Sequence, residues 1–172
     1  MGQGKAALGF VGLGLMGQAF TKRLVACGHT VTGYDVVADK VARAGEHGVR
    51  PATSSAEVAR ASDFVHVCVM TRDDLAAAVF GADGIAEGAT SDKILIDHST
   101  TEAATTREFA ARLAAQTGMR WIDAPVSGGP PAAEAGTLAI MVGGDAADVA
   151  AATPGSRPSA PARTWARSAP GR

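Results

Sequence analysis

Three glycines, Gly12, Gly14 and Gly17, have the spacing of a loop that holds phosphate groups. They lie in the segment GFVGLGLMGQAF, between an apolar stretch that predicts a strand and an amphipathic stretch that predicts a helix. In such a loop the first glycine allows a tight turn and the second lets the backbone approach a pyrophosphate. The third lets the helix pack closely on the strand, and the N–H groups at the start of the helix face the phosphates.

Asp35 is a second, independent sign of the same site, because an acidic residue follows such a loop at the end of the next strand. It ends the predicted strand TVTGYD, and its carboxylate can accept hydrogen bonds from the ribose hydroxyls of NAD. It would repel the 2′-phosphate of NADP, and neither Val36 nor Val37 offers a positive charge to hold that phosphate. Arg43 would have to reach back from the following helix. The sequence therefore predicts a dinucleotide site that prefers NAD to NADP.

The segment DAPVSGG, residues 123–129, is too rich in glycine for a helix interior and too polar for a core strand. Two adjacent glycines after a serine let backbone N–H groups converge on an anion without a side chain in the way. The alternative is a tight loop in which Ser127 only satisfies the backbone. From these residues alone the two interpretations are about equally good.

Strand-like and helix-like segments alternate over residues 6–150, and this positions both glycine-containing loops. Such alternation predicts an α/β fold, a doubly wound Rossmann-type sheet that is mostly parallel, with helices on both faces. The predicted strands are 6–12, 30–35, 63–70, 93–99, 120–125 and 136–144, and the predicted helices are 15–28, 38–48, 55–60, 73–80 and 100–118.

The composition changes at Ala152. From there to the last residue the chain has no Leu, Ile, Val, Met or Phe and no acidic residue, but four prolines and four arginines. Such a segment predicts disorder. We therefore expect a dinucleotide-binding domain over residues 1–151 and a disordered tail over residues 152–172, which we interpret as the product of a truncated or frame-shifted coding sequence.

The two glycine-containing motifs, with GTLAIMVGG after them, resemble the β-hydroxyacid dehydrogenases from about Leu8 to Asp148. That family includes 3-hydroxyisobutyrate dehydrogenase and tartronate semialdehyde reductase; the related 6-phosphogluconate dehydrogenase is a weaker match because its loop usually lacks the DAP residues. The resemblance implies an oxidoreductase that transfers a hydride between the nicotinamide of NAD(P) and a small 3-hydroxy acid or semialdehyde.

The resemblance also implies roles for individual residues. The Ser-Gly-Gly segment approaches the substrate carboxylate, and Val69 and Met70 line the cofactor, although the family usually has Leu-Pro there. Thr100, in IDHSTT, lies near the nicotinamide, or alternatively is the N-cap of the next helix. The predicted cofactor-binding residues are Gly12, Leu13, Gly14, Leu15, Met16, Gly17, Asp35, Val69, Met70 and Thr100, and the predicted substrate-binding residues are Ser127, Gly128 and Gly129.

The residue that would move the proton is not in the sequence. In the family a lysine does this within a G-x-x-x-K-x-x-N segment at the start of a second, helical domain, which also supplies subunit contacts. This chain has no lysine after Lys93, so we assign no catalytic residue and expect cofactor binding with little or no turnover; His98 is the nearest substitute. One alternative is a non-catalytic dinucleotide-binding module. A weaker alternative is a domain that binds another nucleotide or S-adenosylmethionine, which would need a different explanation of DAPVSGG.

Composition excludes several other classes of function. The chain has 172 residues, 47% of them hydrophobic, and a net charge of −1, which gives no reason to expect nucleic acid or an anionic membrane as a partner. No apolar run approaches the roughly 20 residues of a spanning helix, and the N-terminus has no signal-peptide pattern, so we expect a cytoplasmic protein. The two cysteines lack disulfide or zinc spacing, and no metal site is predicted.

Overall fold

The alternating segments form a six-stranded sheet between two layers of helices in the computed structural model, which describes residues 6–156. The strands are β1 Leu8–Val11, β2 Val31–Tyr34, β3 Arg50–Pro51, β4 Phe64–Val67, β5 Ile94–Asp97, β6 Arg120–Asp123, β7 Val126–Ser127 and β8 Ala139–Ile140. The helices are α1 Leu15–Ala26, α2 Ala38–Glu46, α3 Ser55–Arg60, α4 Arg72–Phe80, α5 Ala103–Thr117, α6 Gly129–Ala135 and α7 Ala146–Ser156.

All six strands of the main sheet run parallel, in the order β3-β2-β1-β4-β5-β6. The strand order reverses between β1 and β4, so the loops that leave these two strands part from each other and open a crevice at their carboxyl ends. The predicted doubly wound, Rossmann-type fold is confirmed.

Side chains alternate between the two faces of each strand and build a separate core on each side of the sheet. Val65 and Val67 of β4 face a core under α3, α4 and α5, whereas Leu8 and Phe10 of β1 face a core under α1, α2 and α6. Both cores consist mainly of aliphatic side chains, as expected for a parallel sheet covered on both faces.

Several helices begin and end at polar or glycine residues that satisfy their free backbone groups. The Ser54 hydroxyl accepts the N–H of Glu57 and caps α3, and Thr71 and Asp74 form a reciprocal capping box at the start of α4. At the end of α5, Gly118 takes a left-handed conformation with φ of 75°. These positions agree with the helix boundaries predicted around them.

The region after β6 differs from the prediction. Residues 136–144 do not add a strand to the main sheet: β8 pairs antiparallel with β7 in a two-stranded sheet, α6 lies between them, and Gly143 forms an isolated antiparallel bridge with Asp123 of β6. Helix α6 starts with Pro130 and Pro131 in its first turn, where proline costs no helical hydrogen bond. The glycine-rich loop is thus followed directly by a helix.

Helix α7 crosses the domain boundary predicted after residue 151. Ala152 is 3% exposed and packs with Ile94, Ile96 and Ile122, and Arg120 of β6 forms an ion pair of 2.8 Å with Asp148. The rest of the predicted tail, residues 157–172, lies outside the described residues. None of the described helices is long and apolar enough to cross a bilayer.

Candidate functional site

A cleft of about 740 Å³ lies at the carboxyl ends of β1, β2 and β4, where the strand order reverses. This is the place where open α/β sheets bind their ligands. It brings together eight of the predicted cofactor-binding residues: Gly12, Gly14, Leu15, Met16, Gly17, Asp35, Val69 and Met70.

Each glycine of the first motif has its own structural reason. Gly12 has a φ of +91°, and a Cβ there would overlap the carbonyl oxygen of Cys68 at the end of β4. A Cβ on Gly17 would overlap the carbonyl oxygen of Gly12, so α1 could not pack so closely on the loop. At Gly14, by contrast, a Cβ would meet no atom within 4 Å. The space next to Gly14 is therefore open to a ligand.

The start of α1 faces this space without a side chain to cap it. Gly14 is the N-cap residue and makes no side-chain hydrogen bond, and the first turn contains no acidic residue. The first N–H groups of a helix carry a partial positive charge and favour an anion. A phosphate group suits this position.

Asp35 lies beside the same loop and is only 8% exposed. Its Oδ2 accepts the N–H of Leu13 at 2.8 Å and its Oδ1 accepts the N–H of Val37 at 2.9 Å. The Nζ of Lys40 lies 3.4 Å from Oδ1. The carboxylate thus ties the loop after β1 to the end of β2. Of the predicted residues, Leu13 contributes this N–H, and its side chain is fully buried in the core rather than in the cleft.

The loop after β4 forms another side of the site, and the loop after β5 supports it. The Ser99 hydroxyl accepts the N–H of Val69 at 3.1 Å, and Met70 is 91% exposed at the cleft. Thr100 is exposed and lies outside the lining of the cleft. Because α5 begins at Ala103 with Glu102 at the N-cap position, the alternative that Thr100 caps this helix is wrong.

The second loop approaches the first through helix packing. Gly128 and Gly129 have φ of +133° and +71°, which favour glycine. Helix α6 packs against α1, and Lys22 pairs with Glu134 at 3.0 Å. Pro130 lines the cleft, whereas Ser127 and its two glycines lie just outside the lining.

His98 is a core residue and does not reach the cleft. One ring nitrogen lies 2.9 Å from the carbonyl oxygen of Ala124, and the other lies 2.9 Å from Nδ1 of His66. The ring stacks on Phe20 with 4.7 Å between centroids. Burial lowers the pKa of His98 to about 4 and that of His66 well below its ordinary value. With both nitrogens engaged, His98 does not fit the role of proton carrier considered above.

Three polar residues near the site were missed by sequence reasoning. Lys40 and Cys68 line the cleft, and Asp97 lies fully buried at the end of β5. Burial raises the pKa of the Cys68 thiol to about 11 and that of Asp97 to about 6. The acidic end of a strand gave a signal for Asp97 in the sequence, but nothing local indicated Lys40. Within residues 6–156 no cluster of three metal-ligating side chains occurs.

The three described lysines already have partners. Lys22 pairs with Glu134, Lys40 with Asp35, and Lys93 donates to the carbonyl oxygen of Ser62 at 2.5 Å, near the amino end of β4. Lys40 is the one of these three that lines the cleft, on the side of β2.

Comparison with known proteins identifies the family to which this chain belongs. Residues 7–156 match the family model described as the NAD binding domain of 6-phosphogluconate dehydrogenase. The chain is 39% identical over 143 residues to an uncharacterized oxidoreductase of Shewanella frigidimarina, covering 83% of this chain and 49% of the relative. It is 36% identical over 148 residues to human mitochondrial 3-hydroxyisobutyrate dehydrogenase, covering 86% and 44%. It is 34% identical over 149 residues to 3-sulfolactaldehyde reductase of Escherichia coli, covering 87% and 50%.

Solved structures agree with the sequence relatives. A 3-hydroxyisobutyrate dehydrogenase of Mycobacterium tuberculosis with L-serine has a TM-score of 0.80 at 35% identity, covering 87% of this chain and 50% of that one. Psf3 in complex with NADP+ and 2-OPP has a TM-score of 0.81 at 29% identity, covering 86% and 52%. The chain spans about half the length of the curated relatives it matches.

Proposed function

The chain belongs to the family of the NAD binding domain of 6-phosphogluconate dehydrogenase, and on that premise we propose that it is the cofactor-binding part of an NAD-dependent dehydrogenase. The reaction would be hydride transfer between nicotinamide and a small 3-hydroxy acid or its semialdehyde. One observation carries the proposal: the space beside Gly14 is empty of protein atoms and lies between the uncapped start of α1 and the Asp35 carboxylate.

The chain's residues can hold the two ends of such a cofactor differently. The N–H groups at the start of α1 would bind the pyrophosphate, and Asp35 would accept hydrogen bonds from the adenosine ribose. The nicotinamide half would then lie toward β4 and β5, near Val69 and Met70. The cofactor supplies the acceptor or donor of the hydride.

Charge favours NAD over NADP. The Asp35 carboxylate is fixed by two backbone N–H groups, so it cannot turn away from a 2′-phosphate. Lys40 offsets part of its charge from 3.4 Å, whereas Nε of Arg43 donates to the carbonyl oxygen of Asp39 on the exposed side of α2. Among structurally similar proteins, Psf3 is described with NADP+, so this preference is a property to measure for each member.

Ser127, Gly128 and Gly129 would bind the acid group of the substrate. Left-handed glycines leave N–H groups accessible to an anion, and the Ser127 hydroxyl can add a donor. The relatives named above are named for 3-hydroxyisobutyrate and 3-sulfolactaldehyde, which are both small and anionic. Packing of α6 on α1 holds this loop beside the cofactor cleft.

The proton at the substrate oxygen would be handled outside the part that this chain shares with its relatives. The chain has no lysine after Lys93, and the described lysines are engaged elsewhere. A buried lysine suits that role because desolvation lowers its pKa toward neutrality. We propose that the half of the relatives this chain does not match supplies it.

Within the described residues no side chain is placed to carry that proton, and this observation supports a second candidate function, a dinucleotide-binding module without catalysis. The two proposals agree on binding and differ on turnover. Titration of the chain with NADH, followed by cofactor fluorescence, should show saturable binding that is tighter than for NADPH. NADH formation from NAD and 3-hydroxyisobutyrate then distinguishes them in a chain joined to the half of a relative that this chain does not match, because this chain alone should show little or no turnover under either proposal. No binding of either dinucleotide would contradict both.

A further inference from the structure

Two buried residues, one at the end of β5 and one on the loop after it, connect β5 to the loop after β4 through hydrogen bonds. Asp97, the last residue of β5, is 0% exposed, and its Oδ1 accepts the N–H of Ser99 at 2.8 Å. Ser99 is itself 3% exposed, and its hydroxyl accepts the N–H of Val69 at 3.1 Å. Val69 and the following Met70 line the cleft. The hydrogen bonds thus run from the sheet interior to the wall of the site.

The loop after β4 also supports the glycine loop. The Cys68 N–H donates to the carbonyl oxygen of Val11 at 3.0 Å, and the Cys68 carbonyl occupies the place that a Cβ of Gly12 would need. These two loops are therefore in such close contact that a displacement of Val69 would also displace Gly12. Three loops meet here, from β1, β4 and β5.

We propose that Asp97 and Ser99 are positioning residues for the nicotinamide half of the cleft, acting through the Val69 N–H; this rests on the proposed cofactor binding. Without the Ser99 hydroxyl the half-buried Val69 N–H would lose the acceptor that it has in this structure, and the segment carrying Met70 would no longer be held at its distance from the glycine loop. The adenosine half, on the side of β2, depends on Asp35 and would not be affected.

The oxygen of Asp97, rather than its charge, is what holds Ser99. Its Oδ2 has no hydrogen-bond partner within the described residues, and the titratable groups that interact electrostatically with this carboxyl are the Cys68 thiol and the Asp123 carboxyl. None of these is a cation that would need a negative charge. Asparagine keeps the accepting oxygen, so Asp97→Asn should preserve the arrangement.

The test compares Ser99→Ala with a matched control, Ser62→Ala. Ser62 is also almost fully buried, and its hydroxyl also bonds a backbone group, donating to the carbonyl oxygen of Val58 at 2.8 Å. It lies just before β4, at the amino ends of the strands, whereas the cleft lies at their carboxyl ends. Each variant is titrated with NADH and with ADP, which lacks the nicotinamide riboside. Hydrogen exchange of the Val69 amide is measured in the absence of ligand.

We expect Ser99→Ala to weaken NADH binding about tenfold and to speed exchange of the Val69 amide by a similar factor. ADP affinity should stay within about twofold of the parent, because its site is separate. Ser62→Ala should change neither ligand's affinity. Asp97→Ala, which removes the oxygen that accepts the Ser99 N–H, should weaken NADH binding without weakening ADP binding, and Asp97→Asn should recover most of that loss.

Equal loss of NADH and ADP affinity in Ser99→Ala, unchanged NADH affinity, or unchanged amide exchange would overturn the proposal. A Ser99→Ala chain that fails to fold, while Ser62→Ala folds, would assign the hydroxyl to global stability and overturn it as well. If the parent binds neither ligand, the proposed function fails, and the amide exchange alone decides whether Ser99 holds the loop.

Discussion

Replacing Gly14 by valine separates the binding role of the glycine loop from its structural role. Gly14 has φ of −68° and ψ of −164°, an extended backbone that any residue adopts, and a Cβ there meets no atom within 4 Å. The fold should therefore accept valine without strain. The new side chain would project into the space in which we place the pyrophosphate.

The magnitude follows from what the valine displaces. A hydrogen bond to a charged group contributes about 1.5–3 kcal/mol. If the pyrophosphate loses two such bonds to the N–H groups at the start of α1, binding weakens by about 3–6 kcal/mol, or roughly 10²–10⁴-fold in Kd. The free energy of unfolding should change by less than about 1 kcal/mol, since no buried group is disturbed.

The assay is NADH titration together with thermal unfolding, with two control variants. Gly45→Val adds the same side chain at another glycine with no neighbour within 4 Å, on exposed α2, and should change neither property. Gly17→Ala should lower Tm, because its Cβ would overlap the Gly12 carbonyl. NADH affinity of Gly14→Val within about threefold of the parent, or a drop in Tm as large as that of Gly17→Ala, would refute the reasoning.

Three further predictions concern other parts of the molecule. Asp35→Asn should narrow the preference for NADH over NADPH by at least about tenfold in paired titrations, because the 2′-phosphate of NADPH no longer lies beside a carboxylate. An unchanged ratio of the two dissociation constants would argue against recognition of the ribose by Asp35. Burial lowers the pKa of His66 and His98, the latter to about 4, so the stability gained from the neutral pair is present above pH 6.5 and lost as pH falls toward about 4. Burial raises the pKa of Asp97 to about 6, and protonation of this carboxyl in the folded state opposes the loss of stability in acid. The Tm of Asp97→Asn should therefore fall more steeply with decreasing pH than the Tm of the parent. Equal slopes of Tm against pH for the two chains would contradict the assignment. Ala152→Asp should lower the free energy of unfolding by about 3 kcal/mol in denaturant titrations, since it puts an unpaired charge into the core under α7; a change near zero would show that α7 is not docked.

Sequence alone predicted those features whose cause is local. Gly12 and Gly17 are required by the backbone of their own loop, and Asp35 follows from the length of one helix and one strand. The parallel sheet followed from alternating strand and helix patterns. In each case the physical reason lies within a few tens of residues of the motif.

Features that depend on distant packing were not predictable in this way. Helix α6 is only seven residues long, begins with two prolines in its first turn and is stabilised by contact with α1. Helix α7 has few large apolar residues, and the burial of Ala152 depends on β5 and β6. The same holds for the site, where the bond between Ser99 and Val69 joins loops 30 residues apart.

The packing of α6 on α1 has a consequence for how the protein folds. The Lys22–Glu134 pair joins segments separated by 112 residues, and the core beneath it combines Phe20 and Leu24 of α1 with Ala133 of α6. Contacts so distant along the chain form late, because the closure of a long loop precedes them. During synthesis, the apolar side of α1 therefore remains partly uncovered until residues more than a hundred positions downstream have been translated. Apolar surface that is uncovered in this interval favours aggregation of the nascent chain.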